Sequence, residues 1–212
     1  ARAAEASEAD LDARIAAIET EQLASLIYTS GTTGPPKAVM LSHNNLASTA
    51  RNGQALFNLT PNDVLLSYLP LSHIAEQMFT IHTSATVGYA VYFAESLTLL
   101  PDNLREVQPT IFFGVPSVWE RFRNGVAERL DEAHGARRRI ADWAQDVGKQ
   151  VVALRNQGKE PSGLLATKFR LAERLVFAKV KPLLGFSRTR IAVSGAAAIN
   201  KDILEFFSGL DV

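Results

Sequence analysis

Tyr28-Thr29-Ser30-Gly31-Thr32-Thr33-Gly34-Pro35-Pro36-Lys37 decides how this chain is read. The apolar run Leu23-Ala24-Ser25-Leu26-Ile27 precedes it and predicts a buried strand, and Ala38-Val39-Met40-Leu41 after it predicts a second. Positions 29–37 hold four hydroxyls, two glycines and one lysine. Glycines let backbone N–H groups turn toward an anion, hydroxyls donate hydrogen bonds, and a lysine brings a compact positive charge. That combination suits a polyphosphate, although an ordinary polar hairpin turn draws on the same residue types.

The loop is not a Walker A motif, which places four residues between its glycines and opens a helix with Gly-Lys-Ser/Thr. Only Thr32-Thr33 separate Gly31 from Gly34, and Pro35-Pro36 stand before Lys37. A proline pair blocks helix continuation and the β-branched run beyond favours strand, so the arrangement is strand–loop–strand. The complete ten-residue string resembles the signature loop of the adenylate-forming enzymes: acyl-CoA synthetases, luciferases and the adenylation domains of peptide synthetases. Ala38 departs from the glycine that usually follows the lysine there.

The 212 residues are enough for a domain with a substantial core. An apolar fraction of 47% describes an ordinary globular composition. Lysine plus arginine equals aspartate plus glutamate at 22 each, so no net field recruits nucleic acid or an anionic membrane. Cysteine is absent, which removes disulfides, zinc–thiolate sites and a protein-borne thioester, and fits a reducing compartment. No apolar run approaches the ~20 residues of a membrane-spanning helix, and no secretory signal is visible. Residues 1–18, rich in alanine and acidic residues, read as a surface helix or linker. Residues 19–212 read as the domain proper. A first residue other than methionine, and an end at Leu210-Asp211-Val212, suggest a piece of a longer polypeptide.

Ser42 is placed to cap a helix running to Phe57, with Leu46, Thr49, Ala50 and Leu56 on one side. Strands are predicted at 64–69, 90–93, 110–115 and 190–193, and helices at 74–86, 97–106 and 201–207. Strands that alternate with helices and lack polar alternation imply a mostly parallel sheet flanked by helices, an α/β class. A helical insertion is expected at about 118–185. Its stripes are Trp119, Phe122, Val126 and Leu130, then Ile140, Trp143, Val147, Val151 and Leu154, then Leu165, Phe169, Ala172 and Val176. Aromatic stripes at this spacing read as core.

Pro70-Leu71-Ser72-His73-Ile74-Ala75-Glu76 follows a predicted strand directly, where α/β enzymes gather ligands. A lone histidine is often held structurally by a backbone group. The segment, however, resembles the family's second signature, in which a proline-leucine step leads to a histidine or aromatic residue at the carboxylate end of the acyl pocket. Ser194-Gly195-Ala196-Ala197 is weak alone, since small residues after a strand commonly make a turn. It resembles the Ser-Gly-small-small turn bordering acyl chain and adenine, and Gly114-Val115-Pro116-Ser117 resembles an element before that turn. With its long helical stretch the chain is similar to long-chain and very-long-chain acyl-CoA synthetases of the bubblegum type. His43, His82 and His134 carry no such signal, and Arg137-Arg138-Arg139 reads as a solvated face.

The resemblance covers almost all of residues 20–212 and implies part of the large N-terminal domain of an adenylate-forming enzyme. It implies a fatty-acid–CoA ligase with ATP, CoA and a fatty acid as substrates and Mg²⁺ as cofactor. Thr29, Ser30, Gly31, Thr32, Thr33, Gly34 and Lys37 would hold the ATP phosphates, with Thr29 the candidate magnesium ligand. His73 would be catalytic at the acyl carboxylate, with Ser194, Gly195, Ala196 and Ala197 bordering acyl chain and adenine. The family's Tyr-Gly-x-Thr-Glu segment is expected after Val212, with the ribose-binding aspartate and catalytic lysine further on, so residues 1–212 alone are expected to be inactive. The expected location is the cytoplasm, with peripheral membrane contact left open, and no nucleic-acid partner. Two alternatives stand beside this: a non-catalytic nucleotide- or acyl-binding module or scaffold fragment, and adenylation of a different carboxylic acid.

Overall fold

Thr29 and Lys37 pair at the loop end of an antiparallel hairpin made by β1 (Leu23–Thr29) and β2 (Lys37–Ser42). The computed structural model describes residues 7–29, 35–131 and 134–212. These form two compact units: one takes the described residues up to Pro61 together with Leu69–Gly88, the other Asn62–Tyr68 and Tyr89–Val212. None of the described helices is long and apolar enough to cross a membrane.

In the first unit, α1 (Glu8–Ala16) is capped by the Ser7 hydroxyl and buries no residue. The expectation of a buried first strand does not hold. Ile27 is 7% exposed, but Leu23 and Leu26 are exposed, and Tyr28 and Met40 reach 67% and 68%. A two-stranded ladder gives each strand one hydrogen-bonding neighbour, so an apolar sequence there forms the strand without enclosing it. Helix α2 (His43–Phe57) begins where Ser42 predicts. Ser42 Oγ accepts from Asn45 N at 3.2 Å, and Asn45 Oδ1 accepts in return from Ser42 N at 3.0 Å. Two otherwise orphaned N–H groups are thereby satisfied by a reciprocal cap. The helix ends at Asn58 in the left-handed conformation, and it buries Leu46 and Ala50. Leu56, expected on that face, is 73% exposed because it falls in the last turn.

A helical run then passes from α3 (Ile74–Gln77) through a π segment (Met78–Thr83) to α4 (Ser84–Val87) and stops at Gly88, whose φ is +88°. A π turn shifts the face presented by each later residue, which a period of 3.6 cannot reveal. Glu76 and Thr80 are buried in this run, with Thr80 Oγ1 donating to Glu76 Oε1 at 2.8 Å.

The second unit holds the parallel sheet. Its strands are β3 (Val64–Ser67), β4 (Ala90–Phe93), β5 (Ile111–Gly114) and β6 (Ile191–Ser194), in the order β4-β3-β5-β6. Leu65 and Leu66 are each 2% exposed and all four residues of β5 are buried, so both sheet faces are covered at the centre. That is why these strands read as unbroken apolar runs. One face packs Leu66 and Phe112 on Leu104 of α5 (Leu100–Val107), Trp119 and Phe122 of α6 (Pro116–Asp131) and Phe207 of α10 (Lys201–Ser208). Helix α5 begins three residues later than expected, because Pro101 falls in its first turn, where a missing N–H costs nothing.

The helical insertion forms as predicted: α6 is followed by α7 (Ala136–Arg155), α8 (Gly163–Ala172), a π segment (Glu173–Phe177) and α9 (Ala178–Leu184). Val126, Ala144, Val147, Val176, Phe177 and Leu210 make its own core. Ile140, assigned to a stripe, stands exposed. A β-carbon on Gly148 would lie 2.2 Å from Gly209 O, so α7 meets the end of α10 backbone to backbone.

At the amino ends of the strands, Asp63 is 3% exposed and joins three elements. Its Oδ1 accepts from Thr110 Oγ1 at 2.7 Å and from Arg190 Nε at 2.9 Å, while Thr110 Oγ1 accepts from Val64 N at 2.8 Å. The clamp ties the strands together at their amino ends, opposite the carboxyl ends. Because β3 lies between β4 and β5, the chain leaves β3 first to one side and then to the other. Ser67-Tyr68 and Gly114-Val115 therefore end beside a topological switch point, where open α/β sheets gather ligands.

Candidate functional site

The hairpin brings two candidates together. Thr29 pairs with Lys37 in the ladder, and Thr29 Oγ1 donates to the Lys37 carbonyl over a long 3.4 Å. Both residues are exposed, and among the described residues the Lys37 ammonium makes no hydrogen bond or ion pair. A strand pair thus carries a cation and a hydroxyl at its mouth, already fixed in register. Ser30, Gly31, Thr32, Thr33 and Gly34 lie outside the described residues.

His73 sits on a tight turn that the Pro-Leu step begins. Its N–H donates to Pro70 O at 2.9 Å, and Gln77 Nε2 donates to Leu71 O at 2.7 Å. The ring is exposed and caps α3, with Nδ1 accepting from Ala75 N at 3.2 Å. An accepting Nδ1 places the proton of the neutral ring on Nε2. The same side chain therefore caps the start of a helix and keeps an N–H donor.

The carboxyl edge of β5 and β6 is the third grouping. Gly114 pairs with Ser194, and Gly195 N donates to Gly114 O at 3.4 Å. Tyr68, one residue past β3, accepts from Val115 N at 3.1 Å through its hydroxyl. The next turn contains Ala196 at φ +69°, a conformation that costs an L-residue free energy and that clusters at functional sites. Ser194 Oγ is buried and has no hydrogen-bond partner among the described residues. Ala197 follows, exposed. The turn thus joins a positive-φ alanine to a buried hydroxyl without a partner among the described residues.

Sequence reasoning missed the polar handles of Tyr68 and Trp119 and the Asp63 clamp. Asp63 and Arg190 are 127 residues apart in the chain, and neither position is unusual locally. The other histidines remain outside these groupings. His82 is held below its ordinary value, first by burial and then by the nearby positive charge of His43. Arg190 is held above the usual arginine value by its hydrogen bond to Asp63. Arg138 pairs with Asp142 at 3.0 Å on the surface, as a solvated basic face would. Among the described residues no three of His, Asp or Glu are grouped to hold a metal ion. A groove of about 600 Å³ between α5, α6 and α9 shares no lining residue with the candidates above.

A mostly parallel sheet flanked by helices makes this an α/β fold, and solved structures share it. The complex of VinN with L-aspartate matches with a TM-score of 0.57 at 19% identity, over 95% of this chain and 40% of that one. ATP-bound MatB from Rhodopseudomonas palustris matches with a TM-score of 0.55 at 22% identity, over 89% of this chain and 27% of that one. The adenylation domain of a carboxylate reductase from Mycobacterium chelonae gives 0.55 at 21%, over 91% and 25%.

Residues 1–210 match the AMP-binding enzyme family, and the chain belongs to it. Among curated relatives, the long-chain-fatty-acid–CoA ligase ACSBG2 of Xenopus laevis is 40% identical over 97% of this chain and 28% of its own length. ACSBG2 of Gallus gallus is 42% identical over 90% and 26%, and ACSBG1 of Homo sapiens is 40% identical over 98% and 29%. The chain spans under a third of the length of these relatives.

Proposed function

We propose that the protein containing this chain is a long-chain fatty-acid–CoA ligase. A fatty-acid carboxylate oxygen attacks the α-phosphorus of ATP, and the bond to the leaving pyrophosphate breaks. The sulfur of CoA then attacks the acyl carbonyl carbon and AMP departs. The observation that carries this reading is 40% identity to a long-chain-fatty-acid–CoA ligase over 97% of the chain. It is supported by the Thr29–Lys37 pair at the mouth of the hairpin.

Within that reaction Lys37 and the hydroxyls and glycines of residues 29–34 bind the β- and γ-phosphates. Negative charge grows on pyrophosphate as it leaves, so a fixed ammonium is worth more in the transition state than before it. His73 borders the acyl carboxylate, and its Nε2–H is the donor available to orient it. Ser194-Gly195-Ala196-Ala197 borders the acyl chain and the adenine, where short side chains permit close approach. Magnesium, when bound, would neutralise phosphate charge. The described residues make no metal site of their own, so Thr29 Oγ1 would add one oxygen to an ion held by ATP. The cytoplasm is the proposed location. The test is carboxylate-dependent ATP–pyrophosphate exchange by the full-length protein, screened over fatty acids of different length.

A further inference from the structure

Trp119 occupies a peculiar place at the carboxyl edge of the sheet. Its Nε1–H is shared between Gly114 O at 3.1 Å, the last carbonyl of β5, and Val193 O at 3.4 Å, the last but one of β6. A buried indole N–H needs one acceptor, and a single strand would supply it. Here it spans β5 and β6 one residue before the Ser194 turn. The ring cannot swing away. Phe112 packs edge-on at 5.3 Å, Phe207 at 4.9 Å, Phe186 at 5.6 Å and Phe122 at 6.4 Å between centroids. Gly114 is shaped to it, since a β-carbon there would lie 2.4 Å from Nε1. Beyond the shared bond, Gly195 N returns to Gly114 O, and Ala196 is held at φ +69°.

We propose that Trp119 is a positioning residue for adenylation: its indole N–H ties the ends of β5 and β6 together and so holds the strained turn Ser194-Gly195-Ala196-Ala197 in its ligand-binding shape. The proposal rests on the ligase reading above, in which that turn borders the adenine and acyl chain. The indole touches no reacting atom. Its rigid aromatic clamp fixes the direction of the N–H, and the N–H fixes the turn, which is how a supporting residue holds a binding geometry. Losing it relaxes contacts made equally in the ground and transition states, so the effect falls on KM more than on kcat.

The test uses the full-length protein with Trp119→Phe, and separately with 3-benzothienylalanine at position 119, which keeps the bicyclic ring and replaces only N–H by sulfur. Loss of one buried hydrogen bond predicts that both variants raise KM for ATP in acyl-adenylate formation about tenfold, with kcat changed less than about threefold. Amide hydrogen exchange at Gly195 and Ala196 should accelerate in both. Trp143→Phe, at a half-buried position packed against the core of the helical insertion, should leave KM and these amides unchanged. The sulfur isostere keeps the test open even where Trp119→Phe unfolds. Unchanged KM and unchanged exchange in the isostere would overturn the positioning role. Faster exchange in both variants, where the wild-type protein itself forms no adenylate, would uphold the tie and refute the ligase reading instead.

Discussion

Lys37→Ala in the full-length protein separates phosphate chemistry from folding more cleanly than any other single change. Lys37 opens β2 opposite Thr29, is exposed, and gives its ammonium to no hydrogen bond or ion pair among the described residues. Its backbone pairing survives truncation to alanine. Stability should therefore stay within about 0.5 kcal/mol, the ordinary range for an exposed position without special contacts. For a domain of this size that is a shift of at most about 2 °C in melting temperature. Catalysis should respond on another scale. Removing one preorganised donor to a developing oxyanion costs about 3–4 kcal/mol, or roughly 10²–10³-fold in rate. Single-turnover formation of acyl-adenylate, measured beside a thermal melt, reads both quantities. Lys37→Arg should recover part of the loss, since the charge returns in a different geometry. Near-normal adenylation combined with a melting temperature several degrees lower would show that Lys37 serves the hairpin and not a phosphate.

His73 needs two variants, because its Nδ1 caps α3. His73→Ala should cost about 1 kcal/mol from the lost cap and also slow adenylate formation, whereas His73→Asn keeps an acceptor at the cap and should show the catalytic defect alone; an asparagine variant with normal turnover makes this histidine structural. His82 predicts acid sensitivity. Its folded pKa lies below the ordinary 6.5, so the unfolded chain takes up the proton first. The stability that the neutral ring contributes is complete above about pH 6.5 and is lost as pH falls through the lower folded value. His82→Asn should flatten the fall in melting temperature below pH 6.5, and an unchanged pH profile would contradict this.

The fold was legible where local chemistry and tertiary role coincide. Val64-Leu65-Leu66 and Ile111-Phe112-Phe113 announce a sheet covered on both faces because no polar residue interrupts them, and all but the half-buried Val64 are buried. Ser42 announces the start of α2 because its hydroxyl has a nearby N–H to accept from. Burial of β1 was not legible: Leu23 and Leu26 have the composition of a core strand, but composition does not count the layers around a strand. The π segments at Met78–Thr83 and Glu173–Phe177 escaped because they break the helical period on which the reading relied. Of the site, the hairpin mouth was visible as a dense run of phosphate-binding residue types. The role of Trp119 was not, since a tryptophan in an apolar helical stripe is read as core. It is core, and only the direction of one N–H makes it more than that.

The central claim is that this AMP-binding domain belongs to an enzyme that activates long-chain fatty acids. Exchange of labelled pyrophosphate into ATP by the full-length protein, with and without fatty acids, reports that step directly and does not require CoA. The account predicts exchange that depends on a long-chain fatty acid and falls at least roughly 100-fold in Lys37→Ala, in line with loss of one transition-state donor. Exchange that is absent with every fatty acid, or that Lys37→Ala leaves intact, would contradict it.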